Sequence, residues 1–164
     1  MNNNLKQIKS AVLDKCFLSI SNFEFESEST VYDACRFELN GLKIISRNAK
    51  ITPKKSGQFV TFWKRTENNP IEPFEETDPI DFYLVTIRTE TDLGFFVFPK
   101  SLLIKKGIIS TKNKEGKRAF RVYPPWTEAN NAQAIRTQIW QQAYFFPITD
   151  SIDIERVKRL FDIK

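Results

Sequence analysis

Two apolar runs joined by a polar segment constrain the fold of this chain more than any other feature of the sequence. Residues 81–88 carry β-branched and aromatic side chains throughout, and Phe95–Phe98 is the most apolar run in the chain. The mostly polar residues 89–94 between them end in a glycine, which is typical of a turn. Because an uninterrupted apolar run indicates a strand covered on both faces, we expect Phe95–Phe98 to lie at the centre of a sheet.

Shorter patterns predict the elements that precede this pair of strands. Apolar residues at three- and four-residue spacing over Leu5–Cys16 predict an amphipathic helix of roughly four turns. The dipeptide Asn40-Gly41 predicts a hairpin within residues 31–46, and Gly57–Trp63 is typical of a third strand. The acidic, serine-rich residues 19–30 are expected to form a loop.

The second half of the chain is expected to contain a proline-rich surface loop over residues 67–79, a hairpin and three helices. The predicted elements are a short helix over Pro99–Lys106, a hairpin that pairs Ile108–Ser110 with Arg118–Tyr123, a helix capped by Thr127, and a last helix capped by Thr149, Asp150 or Ser151. This order predicts the α+β or mixed α/β class, with a central mixed sheet flanked by helices in a single domain over residues 1–164.

The sequence contains no histidine, and this excludes several classes of site. Ser-His-Asp and Cys-His catalysis and most zinc sites need an imidazole. The two cysteines, Cys16 and Cys35, are too few for a structural zinc site, and Cys16 is expected on the apolar face of the first helix. The five glycines are isolated, so the sequence has no phosphate-binding loop and predicts no cofactor.

The sequence predicts a soluble cytoplasmic protein. Residues 1–10 lack the apolar core of a signal peptide. The longest apolar runs are far shorter than the roughly 20 residues that cross a bilayer as a helix.

The charged residues fall into three blocks. Residues 39–66 carry seven Lys or Arg residues and no acid, and residues 67–92 carry eight acids and one Arg. Residues 93–127 carry eight Lys or Arg residues and one Glu. Two basic blocks separated by an acidic one either fold into one polarised face or solvate opposite edges and cancel, and the sequence leaves both interpretations open.

Both basic blocks also carry aromatic residues, a combination typical of proteins that bind single-stranded nucleic acid. Cations neutralise phosphates, and exposed aromatic faces stack on unpaired bases. The alternative is that the aromatic side chains belong to the core and the cations only surround it. The candidate binding residues are Lys50, Lys54, Lys55, Trp63, Lys64 and Arg65 in the first block, and Lys117, Arg118, Arg121, Tyr123 and Trp126 in the second.

The helix expected after Thr127 carries an apolar stripe and a polar one. Ile135, Ile139 and Ala143 are predicted to face the core. The glutamines at 138, 141 and 142 are expected in solvent, with contacts to base edges as the alternative.

Four segments of the sequence resemble the MepB family of bacterial proteins. They follow one another between about residue 36 and residue 146, and several contain uncommon Trp, Pro and Gly positions. The segments are AKITPKKSGQFVTFWKR, GFFVFPKSLLIKKGI, KRAFRVYPPW and TQIWQQAYF. The resemblance implies a fold similar to the PD-(D/E)XK nucleases, with a restriction-endonuclease-like core whose sheet edge carries carboxylates and a lysine around a divalent metal.

A nuclease of that type needs two or three oxygen ligands around Mg²⁺ and a lysine near the attacking water. Asp81, at the head of its strand, and Lys100 match two of the family's positions. Phe98 stands where the second carboxylate belongs, and Glu38 or Asp14 would have to complete the site from elsewhere. No metal site is therefore predicted, and Asp81 and Lys100 are catalytic candidates only if the protein is a nuclease.

The sequence favours a non-catalytic nucleic-acid-binding protein that prefers RNA or single-stranded DNA to duplex DNA. Two alternatives stay open: a divergent Mg²⁺-dependent nuclease of the PD-(D/E)XK type, and an adaptor whose basic face binds an acidic protein. Nucleic acid is the expected partner, no membrane partner is expected, and the sequence does not indicate an oligomeric state.

Overall fold

The computed structural model describes residues 1–66 and 68–162. The helices are α1 (Asn3–Ile8), α2 (Lys100–Lys105), α3 (Ala132–Gln141) and α4 (Ile154–Leu160). α1 continues as a π-helical turn, Lys9–Leu13, and a 3-10 turn, Asp14–Cys16. Further 3-10 turns lie at Thr30–Tyr32 and Gln142–Tyr144. The strands are β1 (Ile20–Phe25), β2 (Cys35–Leu39), β3 (Leu42–Asn48), β4 (Lys50–Ile51), β5 (Gln58–Thr61), β6 (Trp63–Lys64), β7 (Glu72–Pro73), β8 (Phe82–Arg88), β9 (Leu93–Pro99), β10 (Ala119–Val122) and β11 (Phe145–Pro147).

A central sheet of six strands has the order β1-β2-β3-β8-β9-β11. Its neighbouring strands are antiparallel except β3 and β8, which are parallel. A smaller sheet has the order β10-β5-β4, and β6 pairs with β7. The predicted α+β class with a central mixed sheet is confirmed.

A different hydrophobic cluster covers each face of the central sheet. On one face, residues of α1 and α4 pack with alternate residues of the sheet, as Leu5 and Val157 do with Leu84. On the other face, the smaller sheet and α2 pack against the remaining residues, as Val60 does with Tyr83. Because β8 and β9 are buried on both faces, their sequences are apolar without alternation. The predicted central position of Phe95–Phe98 is confirmed.

The hairpin and the first helix form where the sequence predicts them. Asn40 and Gly41 have φ values of 49° and 86°, a left-handed pair that a tight hairpin turn requires. Cys16 is buried at the end of the first helical segment, and both cysteines are free thiols.

The last two long helices begin later than predicted. The side chain of Asn131 accepts the N–H of Ala134 at 2.9 Å, and that of Asp153 accepts the N–H of Arg156 at 3.0 Å. These two side chains are the N-caps, so the predicted caps at Thr127 and at residues 149–151 are wrong. Each true cap lies within four residues of the predicted one, where other capping residue types also occur.

The loop expected over residues 19–30 is wrong in part, because this segment contains β1. β1 is the edge strand of the central sheet, and four of its six residues are exposed. An edge strand with a solvated face tolerates the acidic and serine-rich composition that had indicated a loop.

The predicted hairpin between Ile108–Ser110 and Arg118–Tyr123 is wrong in its strand pairing, although the loop between them turns back through an antiparallel bridge of Thr111 with Lys114. β10 pairs instead with β5, about sixty residues earlier, and places Phe120 opposite Val60. A pairing between distant segments leaves no local signal in the sequence, whereas a short polar loop suggests a hairpin.

The proline-rich segment was predicted over residues 67–79, of which residue 67 lies outside the described residues. The rest of the segment runs along the surface, but its Phe74 side chain is buried. The ring centroids of Phe74 and Phe62 are 4.5 Å apart. No helix within the described residues has the length and apolarity of a membrane span.

Candidate nucleic-acid interface

A cleft of about 690 Å³ lies between the smaller sheet and α3. Within the described residues its lining contains cations and aromatic side chains but no acid, and we call it the basic cleft. The cations are Lys54, Lys55, Lys106, Lys117 and Arg121, and the aromatic residues are Phe59, Phe120, Tyr123 and Trp140.

The five cations of the basic cleft keep their charges unpaired. Over residues 1–66 and 68–162, no carboxylate oxygen lies within 4.0 Å of any of them. Lys106 Nζ lies 5.2 Å from the ring centroid of Trp140, and the guanidinium of Arg121 lies 5.8 Å from that of Phe59. Aromatic contacts of this kind hold a cation in place without neutralising it. The cleft therefore concentrates positive potential.

Arg121 holds in place the loop between β4 and β5, which carries Lys54 and Lys55. Its guanidinium donates to the carbonyl oxygens of Ser56 and Gly57 at 3.2 and 3.4 Å, and to Oγ1 of Thr52 at 2.6 Å. All three acceptors belong to the connection between β4 and β5. Arg121 thus holds the loop through neutral acceptors and keeps its positive charge.

Gly57 is the residue that lets this loop reach the sheet. Its φ is 75°, and a Cβ at this position would lie 2.6 Å from a ring carbon of Tyr123. Only glycine satisfies both the left-handed backbone and the close approach. The loop and Tyr123 therefore pack directly against each other.

Gln141 joins α3 to β10. This side chain has no exposed surface; its Oε1 accepts the N–H of Tyr123 at 2.8 Å, and its Nε2 donates to the carbonyl of Arg121 at 3.0 Å. Gln138 Nε2 donates to the carbonyl oxygens of Pro124 and Thr127 at 3.0 and 2.8 Å. The expectation that these two glutamines lie in solvent is wrong, because backbone groups beside the helix need partners.

The predicted orientation of α3 is correspondingly wrong. Ile135 and Ile139 are 46% and 66% exposed, and Ala143 is also exposed. The inward side carries Ala134, Trp140 and Gln141. That side faces the cleft and the backbone edge of β10, and Trp140 reaches the apolar cluster with its ring centroid 5.7 Å from that of Phe98. The stripe of Ile135, Ile139 and Ala143 therefore does not mark the buried face.

A second basic region differs from the cleft, and we call it the ion-paired corner: Lys64, Arg65 and their acidic partners. Lys64 Nζ lies 2.9 Å from the Asp78 carboxylate, 3.6 Å from that of Glu75 and 3.7 Å from that of Glu72. Burial alone lowers the pKa of Lys64, but the hydrogen bond to Asp78 and the three negative charges outweigh it and raise the pKa above its ordinary value.

Arg65 and Trp63 are also committed to contacts within the protein. Arg65 Nε donates to the Glu28 carboxylate at 2.8 Å. The guanidinium groups of Arg47 and Arg65 lie 6.0 and 5.7 Å from the Trp63 ring centroid. Trp63 is half-buried, so it offers less free surface for base stacking than the sequence suggests.

The three remaining candidates lie outside the lining of the basic cleft. Arg118 pairs with Glu115 at 3.0 Å. Lys50 is exposed, with Nζ 5.9 Å from the ring centroid of Tyr32. Trp126 is 43% exposed and packs edge-on against Phe145.

The structure therefore divides the eleven sequence candidates into two groups. The cleft brings together Lys54, Lys55, Lys117, Arg121 and Tyr123. It does not include Lys50, Trp63, Lys64, Arg65, Arg118 and Trp126. The cationic and aromatic residues of the cleft that are missing from the candidate set are Lys106, Phe59, Phe120 and Trp140. Lys106 belongs to a basic block of the sequence, but only the fold shows that it faces Trp140.

The two residues proposed for a nuclease site are neighbours. The backbone N–H of Lys100 donates to the carbonyl of Asp81 at 3.0 Å. Their side chains have other partners: the Asp81 carboxylate accepts the N–H of Lys43 at 2.8 Å, and Lys100 Nζ donates to the carbonyl of Asp78 at 2.5 Å. Phe98, at the position of the absent carboxylate, is fully buried.

The described residues 1–66 and 68–162 contain no group of three acidic or cysteine side chains placed to hold a metal ion. Glu38 accepts a hydrogen bond from Lys43 Nζ at 3.0 Å, which lowers the pKa of that carboxyl. Asp14 pairs with Lys9 at 2.9 Å. The two carboxylates considered as substitute ligands are thus each paired with a lysine.

The fold and its cleft define a small α+β protein with a cation-lined concave surface whose described lining carries no acid. The sequence profile of the MepB-like family matches residues 26–147, and the chain belongs to this family. It is similar to the crystal structure of MepB, with 34% identity and a TM-score of 0.79 over 92% of this chain and 100% of that chain. The resemblance found in the sequence is confirmed.

A second solved structure, that of the bacterial homing endonuclease I-Ssp6803I, matches at 14% identity with a TM-score of 0.45, over 85% of this chain and 91% of that one. A TM-score this low does not establish a common fold, and the restriction-endonuclease-like core stays a prediction. No match was found among curated proteins.

Proposed function

We propose that the protein binds single-stranded nucleic acid, RNA or single-stranded DNA, in the basic cleft without cleaving it. The observation that supports this function is the gathering of five unpaired cations beside aromatic side chains in one concave surface. Phosphate neutralisation supplies most of the affinity of such proteins, and each stacked base adds about 1–3 kcal/mol.

The size of the cleft favours single strands over duplexes. Its volume of about 690 Å³ is typical of a site for a small molecule, and roughly one or two nucleotides of a flexible strand fill such a space. A duplex is too broad to enter and keeps its bases stacked on each other. The exposed lysines at the rim then contact the phosphates that continue out of the cleft.

The set of binding residues is narrower than the sequence suggests. Lys64, Arg65 and Arg118 each have a carboxylate partner, and a phosphate would have to displace it. Lys54, Lys55 and Lys117 are exposed and free of such partners within the described residues. Arg121 has a double role, because it positions the loop and contributes charge.

The decisive measurement is the binding of labelled RNA, single-stranded DNA and duplex DNA over a salt series. If five phosphates are neutralised, log K falls against log salt with a slope of about −3 to −4 on a single strand. The variant Lys54→Ala/Lys55→Ala should bind all single strands more weakly and show a shallower slope, because phosphate contacts do not depend on base sequence.

The matched control is Lys6→Ala/Lys15→Ala. It removes two exposed lysines as well, but these lie on the first helical segment, against the other face of the central sheet. Equal losses in both double variants, or an affinity that does not respond to salt, would contradict the proposal. If the wild-type protein binds no nucleic acid but binds an acidic protein, the adaptor alternative is favoured.

The absence of cleavage is part of the proposal and has its own test. Asp81 and Lys100 are the two groups of a nuclease site present at this sheet edge, and both side chains are hydrogen-bonded to other groups of the protein. The second carboxylate is missing, because the buried Phe98 stands at its position. Purified protein with Mg²⁺ or Mn²⁺ should leave labelled RNA and DNA intact. Cleavage that disappears in Asp81→Ala would establish the nuclease alternative instead.

A further inference from the structure

The basic cleft has two walls of different chemistry. The smaller sheet, its loops and the end of α2 supply the cations, whereas α3 and the residues just before it supply uncharged polar side chains. Gln133 and Thr137 are four residues apart and lie on one side of α3, and Asn130 lines the same wall from the segment just before the N-cap Asn131. A strand bound in the cleft thus has charged groups on one side and neutral hydrogen-bonding groups on the other.

Two of these polar side chains are available for a ligand. Asn130 and Gln133 are exposed, and neither makes a side-chain hydrogen bond to the residues that the structure describes. The neighbouring Asn131 is different, because its side chain caps α3. Each free amide presents a donor and an acceptor side by side, the arrangement that pairs with the edge of an unpaired base.

We propose that Asn130 and Gln133 read base edges, so that the cleft distinguishes bases as well as binding phosphates. This inference rests on the proposed function and deepens it. The cationic wall holds the backbone, the aromatic side chains support the base, and the amides of the α3 wall contact its edge. A purely electrostatic groove would lack the last set of contacts and would bind all sequences alike.

The test measures the affinities of four RNA homopolymers of about eight nucleotides, a length within the usual range of single-strand sites. A bidentate amide contact changes affinity by about five- to a hundredfold between matched and mismatched bases. The wild type should therefore show a spread of at least about fivefold between its best and worst homopolymer. In Asn130→Ala/Gln133→Ala the spread should fall to within about twofold, with the salt slope unchanged.

The control variant is Gln142→Ala, an exposed glutamine that does not line the cleft. It should keep the wild-type spread. Equal affinity of the wild type for all homopolymers, or an unchanged spread in Asn130→Ala/Gln133→Ala, would overturn the inference and leave the proposed function standing. Failure of the wild type to bind any of them would overturn both. Circular dichroism checks that the variants fold, and we expect no change, since both side chains are exposed and Asn131 is kept.

Discussion

The basic cleft and the ion-paired corner come from the same kind of sequence but differ in how their cations are used. In the corner, Lys64 has three carboxylates within 3.7 Å and Arg65 has one at 2.8 Å. In the cleft, the contacts that hold the structure together are made by the neutral amide of Gln141 and by backbone carbonyls around Arg121. The structure of the cleft is therefore stabilised by neutral groups, and its cations keep their charge.

The difference teaches that a basic segment becomes a basic surface only where the fold brings no acid to it. The acidic block neutralises the end of the first basic block, since Glu72, Glu75 and Asp78 all lie around Lys64. Among the described residues, no carboxylate of this block lies within 4.0 Å of Lys54 or Lys55, which belong to the connection between β4 and β5. The basic residues of the sequence are thus neutralised by carboxylates in the ion-paired corner and keep their charge in the basic cleft.

The largest effect is expected from Gln141→Leu, which tests whether a neutral amide supports the cleft. The substitution keeps a similar volume but leaves the N–H of Tyr123 and the carbonyl of Arg121 without partners. Each unsatisfied buried group costs about 1–3 kcal/mol, so the free energy of unfolding should fall by about 2–4 kcal/mol in urea titrations. The exposed Gln142→Leu is the control. A loss below about 0.5 kcal/mol would show that the amide is not a support.

The next effect is on binding and comes from charge reversal in the cleft. Lys54→Glu/Lys55→Glu should lower the affinity for single-stranded RNA by about a hundredfold at low salt, because two attractive contacts become repulsive. Both side chains are exposed, so thermal stability should change little. Fluorescence anisotropy measures the affinity, and Lys6→Glu/Lys15→Glu has the same change in net charge. If the two variants lose affinity equally, net charge and not the cleft governs binding.

For the ion-paired corner we expect the reverse of the charge-reversal result: a substitution there should lower stability slightly and leave the affinity for RNA almost unchanged. Lys64→Met should lower the free energy of unfolding by about 1 kcal/mol, since it removes the partner of three carboxylates at a mostly covered site. Its affinity for RNA should stay within about twofold of the wild type. A loss of affinity as large as that of Lys54→Ala/Lys55→Ala would remove the distinction between the two regions.

The smallest effect is the dependence of the corner on pH. The pKa of Lys64 is raised in the folded protein, so its charge stabilises the fold below the ordinary lysine value of 10.5, and this contribution is lost as the pH rises above it. The difference in unfolding free energy between the wild type and Lys64→Met should be constant up to about pH 10 and shrink above it.

Other groups with raised pKa values, Cys16 among them, also destabilise the fold at alkaline pH, but they are common to both proteins. Burial raises the pKa of Cys35 to about 12 and raises that of Tyr83 as well, so unfolding is favoured as these groups ionise. Because wild type and variant share them, they cancel in the difference. A difference that does not change between about pH 9 and pH 11.5 would show that the corner does not depend on the lysine charge.

The sequence predicts the central elements well, because their signals are local. Asn40-Gly41 marks its hairpin, and the continuous apolar runs of β8 and β9 mark strands buried on both faces. It fails where partners are distant. β10 pairs with β5 rather than with its neighbour, and α3 turns Gln141 inward and Ile139 outward because it meets the backbone of β10.

The candidate site shows the same division. The cations of the cleft are visible in the sequence as basic residues near aromatic ones. Their separation from Lys64, Arg65 and Arg118 is not visible, because it depends on which acids fold against which cations. Lys106 illustrates the point: it ends α2, and only the fold places it over Trp140.

Gln141 has a further consequence for the behaviour of the protein in a crowded solution. β10 is an edge strand of the smaller sheet, and an exposed edge invites a strand from another chain to pair with it. The amide of Gln141 already occupies backbone groups of Arg121 and Tyr123 on that edge. The same side chain that supports an open cleft therefore also protects the strand beside it from edge-to-edge aggregation.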